Sequence, residues 1–328
     1  MNNLKIRNLS LKSKIVYAPL AGFSDFPFRR MSVSGNPALM FCEMVKVEAL
    51  VRRIPKTLRI LDYSENMRPI GGQICGSIPE TVREAGKIIE DMGFDVLDLN
   101  CGCPTDRITK DGSGSGLLKT PLVLGKIVKV LVEAVRIPVT VKIRVGWDSS
   151  SVNVREVVRI LVDSGASGIF VHGRTRAQGY TGPAVRQYIA EAKKEAGPVP
   201  IFGNGDIFKP EDVKSMLQET SVDGVLIARG TIGQPWIAED ADKYLKGDPM
   251  VVKDFFDRKK MFLRHLEYVW DYYQDEYQVL TAAKKLSGYY LMAHSGVKTL
   301  RTSLSKIQTV KDLFDTLSCF DLKEPIAC

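Results

Sequence analysis

Eight short apolar runs recur along the first 230 residues of the chain, and each is followed by a glycine, proline or polar break. They lie at 15–19, 38–43, 70–75, 96–100, 138–143, 168–172, 199–204 and 224–228. Alternating strands and crossover helices build a parallel sheet, and eight such units close into a barrel. The sequence therefore predicts an α/β fold, a (β/α)₈ TIM barrel. A doubly wound open sheet is the weaker alternative, because no glycine fingerprint follows the first run.

The character of the chain changes near residue 244. Helical periodicity continues over 255–273 and 280–296 without further strand runs. This pattern predicts a C-terminal all-helical domain. We expect a barrel catalytic domain at residues 1–243 and a helical RNA-binding domain at residues 244–328.

The helical tail is also basic. No acidic residue occurs from 277 to 311, and the basic residues there are Lys284, Lys285, Lys298, Arg301, Lys306 and Lys311. Such a segment attracts a phosphate backbone, and a solvated helix face is the alternative. The net charge of +8 at pH 7 agrees with a polyanionic partner, although charge alone does not separate RNA binding from solubility.

Nothing in the sequence indicates a membrane or an oxidising compartment. The first ten residues lack the apolar core of a signal peptide, and no apolar stretch is long enough to span a bilayer. Six cysteines in 328 residues are too few for a disulfide scaffold. We expect a cytoplasmic protein with free thiols and no membrane partner.

A cluster of reactive groups follows the fourth apolar run, at Asn100-Cys101-Gly102-Cys103-Pro104. Gly102 permits close backbone approach and Pro104 ends ladder pairing, so Cys103 should be displayed at the end of a strand. The glycine-rich residues 112–116 indicate a loop near a ligand. A single C-x-C pair lacks the further ligands of a metal site, so no bound metal is expected.

Polar residues stand where the other predicted strands end, and in a barrel the chemistry gathers at that rim. The fifth run alternates, so Thr140, Lys142 and Arg144 should share one face. If that face is the barrel interior, Lys142 needs an anion or an electron-rich ring as its partner. A solvated lysine on an edge strand is the alternative.

The last two predicted strands end in glycine-containing turns that precede helix-compatible segments. These turns are Asn204-Gly205-Asp206 and Ala228-Arg229-Gly230. Backbone N–H groups at such turns suit a phosphate, and barrels often hold one after strands seven and eight. The sequence predicts a phosphate site formed by both turns.

Six motifs occur in the order and at the spacing of one known family. They are APLAGFSDFPFR, LNCGCPTDRITKDGSGSGLL, VKIRVGW, HGRTRAQGY, NGDI and ARGTIGQPW. The chain resembles the flavin-dependent tRNA-dihydrouridine synthases, and its barrel followed by a helical tail is similar to their bacterial branch. One position departs from the pattern, because Ala228 stands where the family commonly has glycine.

The resemblance implies an FMN cofactor at the barrel mouth. Its ring would lie against Pro19, Leu20, Ala21 and Gly22, with Gln73, Lys142 and His172 around its polar edge. Its phosphate would rest on Asn204, Gly205, Asp206, Ala228, Arg229 and Gly230. A buried structural role is the alternative for His172. The resemblance further implies NADPH as a transient reductant.

The implied reaction saturates the C5=C6 bond of a uridine in tRNA, with hydride from flavin N5 to C6 and a proton from Cys103 to C5. A free cysteine thiol is mostly protonated at neutral pH, which suits an acid. Cys101 is interpreted as a bystander. Substrate contacts are expected from Asn100, Arg174 and Tyr180 to the uracil, and from Arg107, Lys284 and Lys285 to the RNA backbone.

Three alternatives stay open from the sequence. The same reduction could act on ribosomal RNA, or on a free pyrimidine as in dihydroorotate dehydrogenases, which also place a cysteine near the flavin. A protein that binds RNA without chemistry is the third. The sequence does not say which uridine is reduced, which protein partners exist, or what oligomer forms.

Overall fold

The computed structural model describes residues 4–291 and 297–320. Its strands are β1 Lys5–Ile6, β2 Leu9–Ser10, β3 Ile15–Tyr17, β4 Leu39–Phe41, β5 Val45–Lys46, β6 Ile70–Cys75, β7 Val96–Cys101, β8 Val139–Arg144, β9 Gly168–His172, β10 Ile201–Asn204 and β11 Gly224–Ile227.

The helices of the barrel region are α1 Phe26–Ser32, α2 Val47–Val51, α3 Pro55–Ile60, α4 Pro79–Asp91, α5 Asp106–Thr109, α6 Pro121–Ala134, α7 Val154–Asp163, α8 Arg186–Glu195, α9 Pro210–Thr220 and α10 Ile237–Lys246. The remaining helices are α11 Phe255–Tyr273, α12 Glu276–Tyr290, α13 Val297–Lys306 and α14 Val310–Cys319.

Eight parallel strands close into a barrel, which confirms the predicted fold. Their order is β4-β3-β11-β10-β9-β8-β7-β6, and pairing of β4 with β6 closes the ring. Each of the eight predicted runs overlaps one barrel strand, and β7 and β8 extend one residue beyond their runs. Strand β5 pairs with the C-terminal end of β6, on the same edge that β4 pairs with further back, and β1 and β2 form a separate antiparallel hairpin.

The crossover helices follow the local signals of the sequence. Helix α4 begins at Pro79, and Gly93 follows its end with a positive φ of 82°. A proline at the first helical position loses no intrahelical hydrogen bond. A glycine after the last position adopts the left-handed conformation without steric strain from a Cβ atom. Helix α9 likewise begins at Pro210, and the Asp212 carboxylate accepts hydrogen bonds from the N–H groups of Phe208 and Lys209.

The barrel interior contains an aromatic cluster. The ring of Phe170 lies 5.5 Å from that of Phe41, edge to face, and 4.8 Å from that of Phe202. All three side chains are buried. At this level the barrel interior is therefore a packed core.

The C-terminal helices form a second hydrophobic cluster that includes Phe262, Leu266 and Tyr290. Helix α11 packs on α1, where the ring of Tyr272 stacks 4.7 Å from that of Phe26.

The predicted boundary between residues 243 and 244 falls inside α10, and the division into two domains stays a prediction. The helix predicted over 280–296 ends at Tyr290, and residues 292–296 lie outside the described part of the chain.

Within the described residues, no helix combines the length and apolarity needed to cross a membrane.

Tyr17 joins the barrel to the segment that leads into α10. Its hydroxyl donates to the carbonyl of Pro235 at 2.8 Å and accepts from the N–H of Ala238 at 2.9 Å. The residue is 2% exposed. Both backbone groups therefore depend on one buried hydroxyl for their hydrogen bonds.

Replacement of Tyr17 by phenylalanine should lower the free energy of unfolding by about 1–3 kcal/mol, because it leaves two buried backbone groups unpaired. Urea unfolding monitored by circular dichroism measures the change. Tyr277→Phe is the matched control, since that side chain is 72% exposed, and it should behave as the parent. Equal stability of Tyr17→Phe and the parent would contradict the anchoring role.

Candidate active site

The C-terminal ends of the barrel strands surround a cavity of about 430 Å³, a size typical of small-molecule sites. Most residues predicted for the site line it together: Pro19, Leu20, Ala21, Gln73, Asn100, Cys103, Lys142, His172, Tyr180, Asn204, Gly205, Asp206, Ala228 and Arg229. Each of the eight sequence runs, or the loop that directly follows it, thus contributes to one cavity; the second run contributes through Met44 in its loop.

Sequence reasoning missed the apolar walls of this cavity, which include Phe23, Met44, Phe208, Ile232 and Tyr289. Apolar side chains in loops carry no chemical signal, and only the closed barrel brings them to one opening. Tyr289 comes from α12, so the C-terminal helices form part of the cavity wall.

Strand β8 places Thr140, Lys142 and Arg144 on the interior side, as its alternation predicts. The Thr140 hydroxyl donates to the buried carboxylate of Asp98 at 2.7 Å. Arg144 is 2% exposed and donates to the carbonyls of Gly102, Thr175 and Gly179 at 2.7–2.9 Å. Arg144 therefore ties the loops after β7 and β9 together at the edge of the cavity.

Lys142 lines the cavity and, within the described part of the chain, forms no hydrogen bond or ion pair. Burial and, to a smaller extent, the charge of Arg144 lower the pKa of its ammonium group to about 8, while Asp98 opposes the shift. A cation in this position is suited to an anionic or electron-rich ligand.

Cys103 is half-buried at the cavity, directly after β7. Its Sγ atom lies 3.3 Å from Oγ1 of Thr105, and its N–H donates to Oδ1 of Asn100 at 2.9 Å. Cys101, by contrast, is fully buried, and burial raises the pKa of its thiol well above the ordinary value. The thiol available to a ligand in this segment is that of Cys103.

His172 is 7% exposed and lies in the cavity wall. Burial and the positive charges of Lys142, Arg144, Arg174 and Arg229 lower the pKa of its imidazole well below the ordinary value. The ring is therefore neutral at pH 7, so it can donate one hydrogen bond and accept another.

Arg174 does not line the cavity, and its guanidinium is engaged within the protein. Its Nη2 atom lies 2.9 Å from both carboxylate oxygens of Asp206, and the group also donates to the carbonyl of Gly182. Its contact with substrate stays a prediction. In the structure it holds Asp206, which also accepts the N–H of Ala184 at 2.8 Å.

The two predicted phosphate turns lie side by side and are closely packed. A Cβ atom on Gly230 would lie 2.2 Å from the carbonyl oxygen of Ile207, and one on Gly205 would lie 2.5 Å from Cβ of Ala184. Gly205 also has a φ of 129°, so both positions require glycine. Ala228 has a φ of −106°, which lies outside the left-handed region that favours glycine. Gly230 supports the turn without lining the cavity.

Gly22 and Lys285 meet beside the cavity rather than in it. The Lys285 ammonium donates to the carbonyl of Gly22 and lies 3.7 Å from the centre of the Phe23 ring. The N–H of Gly22 donates to Glu43 at 2.6 Å. Lys285 thus connects α12 to the loop after β3, and its role in RNA binding stays a prediction.

Lys284 lines a separate, open depression on the C-terminal helices with Lys298, Arg301, Thr302 and Ser305. Arg107 is exposed on α5, beyond Cys103. Neither lies in the cavity, which agrees with their predicted contact to the RNA backbone but does not test it.

Asp206→Asn should lower the free energy of unfolding at pH 7 by about 2 kcal/mol, because the buried Arg174 loses its carboxylate. Burial raises the pKa of Asp206, but the Ala184 N–H, Arg174 and Arg229 lower it more, so the pKa lies below its ordinary value. The stabilisation is therefore complete well above about pH 4 and is lost as the pH falls further.

Urea unfolding of parent and variant at pH 7 and in acid measures this difference, which should be widest at pH 7. The control is Glu267→Gln, which breaks an ion pair with both side chains at least half exposed and should cost less than about 1 kcal/mol. If Asp206→Asn lowers the free energy of unfolding by no more than Glu267→Gln does, the Arg174–Asp206 ion pair does not stabilise the fold.

Comparison with known proteins identifies the family. Residues 16–324 match the family model described as Dihydrouridine synthase (Dus). The chain is 37% identical over 319 residues to a probable tRNA-dihydrouridine synthase 1 of Synechocystis sp., covering 95% of this chain and 88% of the relative. It is 33% identical to tRNA-dihydrouridine synthase B of Pseudomonas aeruginosa, covering 94% of this chain and 92% of the relative.

Solved structures with much lower identity share the fold. Histamine dehydrogenase from Rhizobium sp. 4-9 superposes with a TM-score of 0.59 at 14% identity, over 81% of this chain and 50% of that one. Morphinone reductase superposes with a TM-score of 0.54 at 12% identity, over 77% and 90%. The match of the family model over most of the chain, with relatives above 30% identity, shows that this protein belongs to the dihydrouridine synthase family.

Proposed function

We propose that this family member is a tRNA-dihydrouridine synthase that reduces the C5=C6 bond of uridines in tRNA, with FMN as cofactor and NADPH as transient reductant. The observation that carries the proposal is the shared cavity of Cys103, Lys142 and the two glycine turns. It combines a thiol, a cation that has no hydrogen-bond or ion-pair partner among the described residues, and two turns suited to a phosphate. The names of the relatives support tRNA as the substrate.

The residues present fit a flavin mononucleotide. The turns at Gly205 and Gly230 leave no room for a Cβ atom at either glycine, and the residues of these turns that line the cavity are Asn204, Gly205, Asp206, Ala228 and Arg229. Arg229, 39% exposed at its side chain, adds a positive charge for a phosphate. Lys142 offers an ammonium group to an electron-rich ring edge, and Pro19 to Ala21 provide a flat wall. A bound flavin would supply the hydride.

Cys103 is proposed to donate the proton to C5 of the uracil. Its backbone is held by Asn100 and its Sγ contacts Thr105, so the loop keeps the thiol at the cavity. No histidine is among its hydrogen-bond partners within the described residues, so the arrangement is not that of an activated nucleophile. A neutral thiol is the form that an acid requires.

Asn100 and Tyr180 are proposed to contact the uracil. Asn100 uses one amide N–H for Gln73, which leaves the second for a base. Tyr180 is 60% exposed at the cavity, with Arg229 4.7 Å from its ring centre. Arg174 is proposed to act through Asp206 beneath these contacts.

A base in folded RNA must leave its stack to reach this cavity. The basic depression around Lys284 and the exposed Arg107 are proposed to grip the RNA backbone, with Lys285 close to the cavity rim. Contacts of this kind position the RNA and do not read its sequence. Ribosomal RNA and a free pyrimidine are the other substrates to test.

With FMN and NADPH, the parent should convert uridine in unmodified tRNA to dihydrouridine, and it should leave free uridine unchanged. Nucleoside mass spectrometry detects the product as a gain of two hydrogens. Ribosomal RNA is the competing substrate in the same assay. Reduction of free uridine as fast as tRNA would overturn the RNA assignment, and protein that binds no flavin would overturn the cofactor.

In the same assay, Cys103→Ala should lower dihydrouridine formation by about 100-fold or more, because general acid catalysis contributes that much. Oxidation of NADPH in the absence of RNA should continue at the parental rate. Cys319→Ala removes an exposed thiol outside the cavity and serves as the matched control. Undiminished product from Cys103→Ala would rule out the acid role.

The affinity for FMN should fall as the pH rises through about 8, because the pKa of Lys142 lies there and the cation is lost above it. Flavin fluorescence titrations between pH 7 and 9.5 measure the change. The neutral variant Lys142→Met should bind FMN more weakly at pH 7, with little further dependence on pH. A parental profile that is flat across this interval would contradict the role of Lys142.

A further inference from the structure

A chain of buried side-chain hydrogen bonds runs beneath the cavity across three neighbouring strands. Gln73 on β6, Asp98 on β7 and Thr140 on β8 are paired in register. Nε2 of Gln73 donates to one oxygen of Asp98 at 2.7 Å, and the Thr140 hydroxyl donates to the other at 2.7 Å. Neither Asp98 nor Gln73 is more than 1% exposed.

The same chain continues upward to the loop that carries the thiol. Oε1 of Gln73 accepts from Nδ2 of Asn100 at 2.9 Å. Oδ1 of Asn100 then accepts the backbone N–H groups of Gly102 at 3.1 Å and Cys103 at 2.9 Å. A buried carboxylate is thus linked through two amides to the backbone of the proposed acid.

The direction of this chain follows from the chemistry of its first member. An ionised carboxylate can only accept, so Gln73 must present its NH₂ group to Asp98 and its oxygen to Asn100. Asn100 must then present its NH₂ group to Gln73 and its oxygen to the loop. Rotation of either amide by half a turn would place two donors or two acceptors against each other.

The carboxylate of Asp98 is mainly in its ionised form at neutral pH. Burial raises the pKa of Asp98 to about 6, while its bonds from Thr140 and Gln73 and the charge of Lys142 oppose the rise. An apolar residue would fill this place in the barrel at lower cost, since a buried charge must be compensated. What a carboxylate does here, and an apolar residue could not do, is orient the amide groups of Gln73 and Asn100.

We propose that Asp98 is a positioning residue that sets the donor–acceptor direction of the Gln73–Asn100 chain and thereby holds the loop of Cys103 and the polar edge of Gln73 toward the cavity. The effect on the loop concerns the fold alone. The effect on the cofactor rests on the proposed function.

The test exchanges the acceptor-only group between the two ends of the chain. In Asn100→Asp, the new carboxylate faces the side-chain oxygen of Gln73, because the NH₂ group of Gln73 is still hydrogen-bonded to Asp98. The amide of Gln73 cannot serve both, so the carboxylate at position 100 should turn away and release the loop.

In the double variant Asp98→Asn/Asn100→Asp, the whole chain can reverse with every bond kept. The new amide at position 98 accepts from Thr140 and donates to Gln73, whose turned NH₂ group donates to the new carboxylate. That carboxylate again accepts the N–H groups of Gly102 and Cys103. Loop order should return, while Gln73 presents its opposite polarity to the cavity.

Hydrogen exchange of the Gly102 and Cys103 amides, followed by mass spectrometry, measures the loop directly. Exchange should be about tenfold faster in Asn100→Asp than in the double variant, although both carry the same charge at position 100. FMN titration should show about tenfold weaker binding than the parent in both variants. Thr220→Val, which removes a buried hydroxyl that donates to the carbonyl of Met216 outside this network, should exchange at these two amides within about twofold of the parent.

Equal exchange in the single and double variants would overturn the proposal. So would a double variant that regains both protection and parental FMN affinity, because removal of one of two repelling charges would then explain the rescue. If Asn100→Asp does not fold, the proposal still requires that the double variant folds. A double variant that also fails to fold would contradict the proposal. A parent that binds no FMN would refute the proposed function, and the exchange comparison would still decide the role of Asp98.

Discussion

Closure of the parallel sheet, through the pairing of β4 with β6, is the constraint on which the rest of the structure depends. Because all eight strands run in the same direction, their C-terminal ends meet at one rim. The aromatic cluster of Phe41, Phe170 and Phe202 fills the interior below. Polar residues as far apart in the sequence as Gln73 and Arg229 are thereby brought around one cavity.

A rim of this kind must hold charges in a largely buried setting, and the structure compensates them in different ways. Arg144 and Arg174 are satisfied by carbonyl groups and by Asp206, so they organise loops. Asp98 is satisfied by neighbouring donors. Lys142 has no such partner within the described residues, and this difference marks it as the cation available to a ligand.

Much of the site was accessible from the sequence because strand ends and glycine turns have local signatures. The alternation around Lys142 and the strand end at Cys103 are such signatures, and the cavity contains both. Placement of Arg174 beneath the cavity was not accessible, because nothing local shows that its partner is Asp206, 32 residues away. The same holds for Lys285, which reaches the carbonyl of Gly22 across 263 positions.

The sequence by itself determined the eight strand–helix units, the basic helical tail and the family, since periodicity, turn residues and motif order are properties of short segments. Only the tertiary structure decided which polar side chains line the cavity and which form hydrogen bonds or ion pairs with each other. Hydrogen-bond direction is the clearest case. Nothing in the local sequence around Gln73, Asp98 and Asn100 shows that these side chains bind one another. Packing of the barrel strands brings their donors and acceptors within 3 Å, and at that distance each donor must face an acceptor.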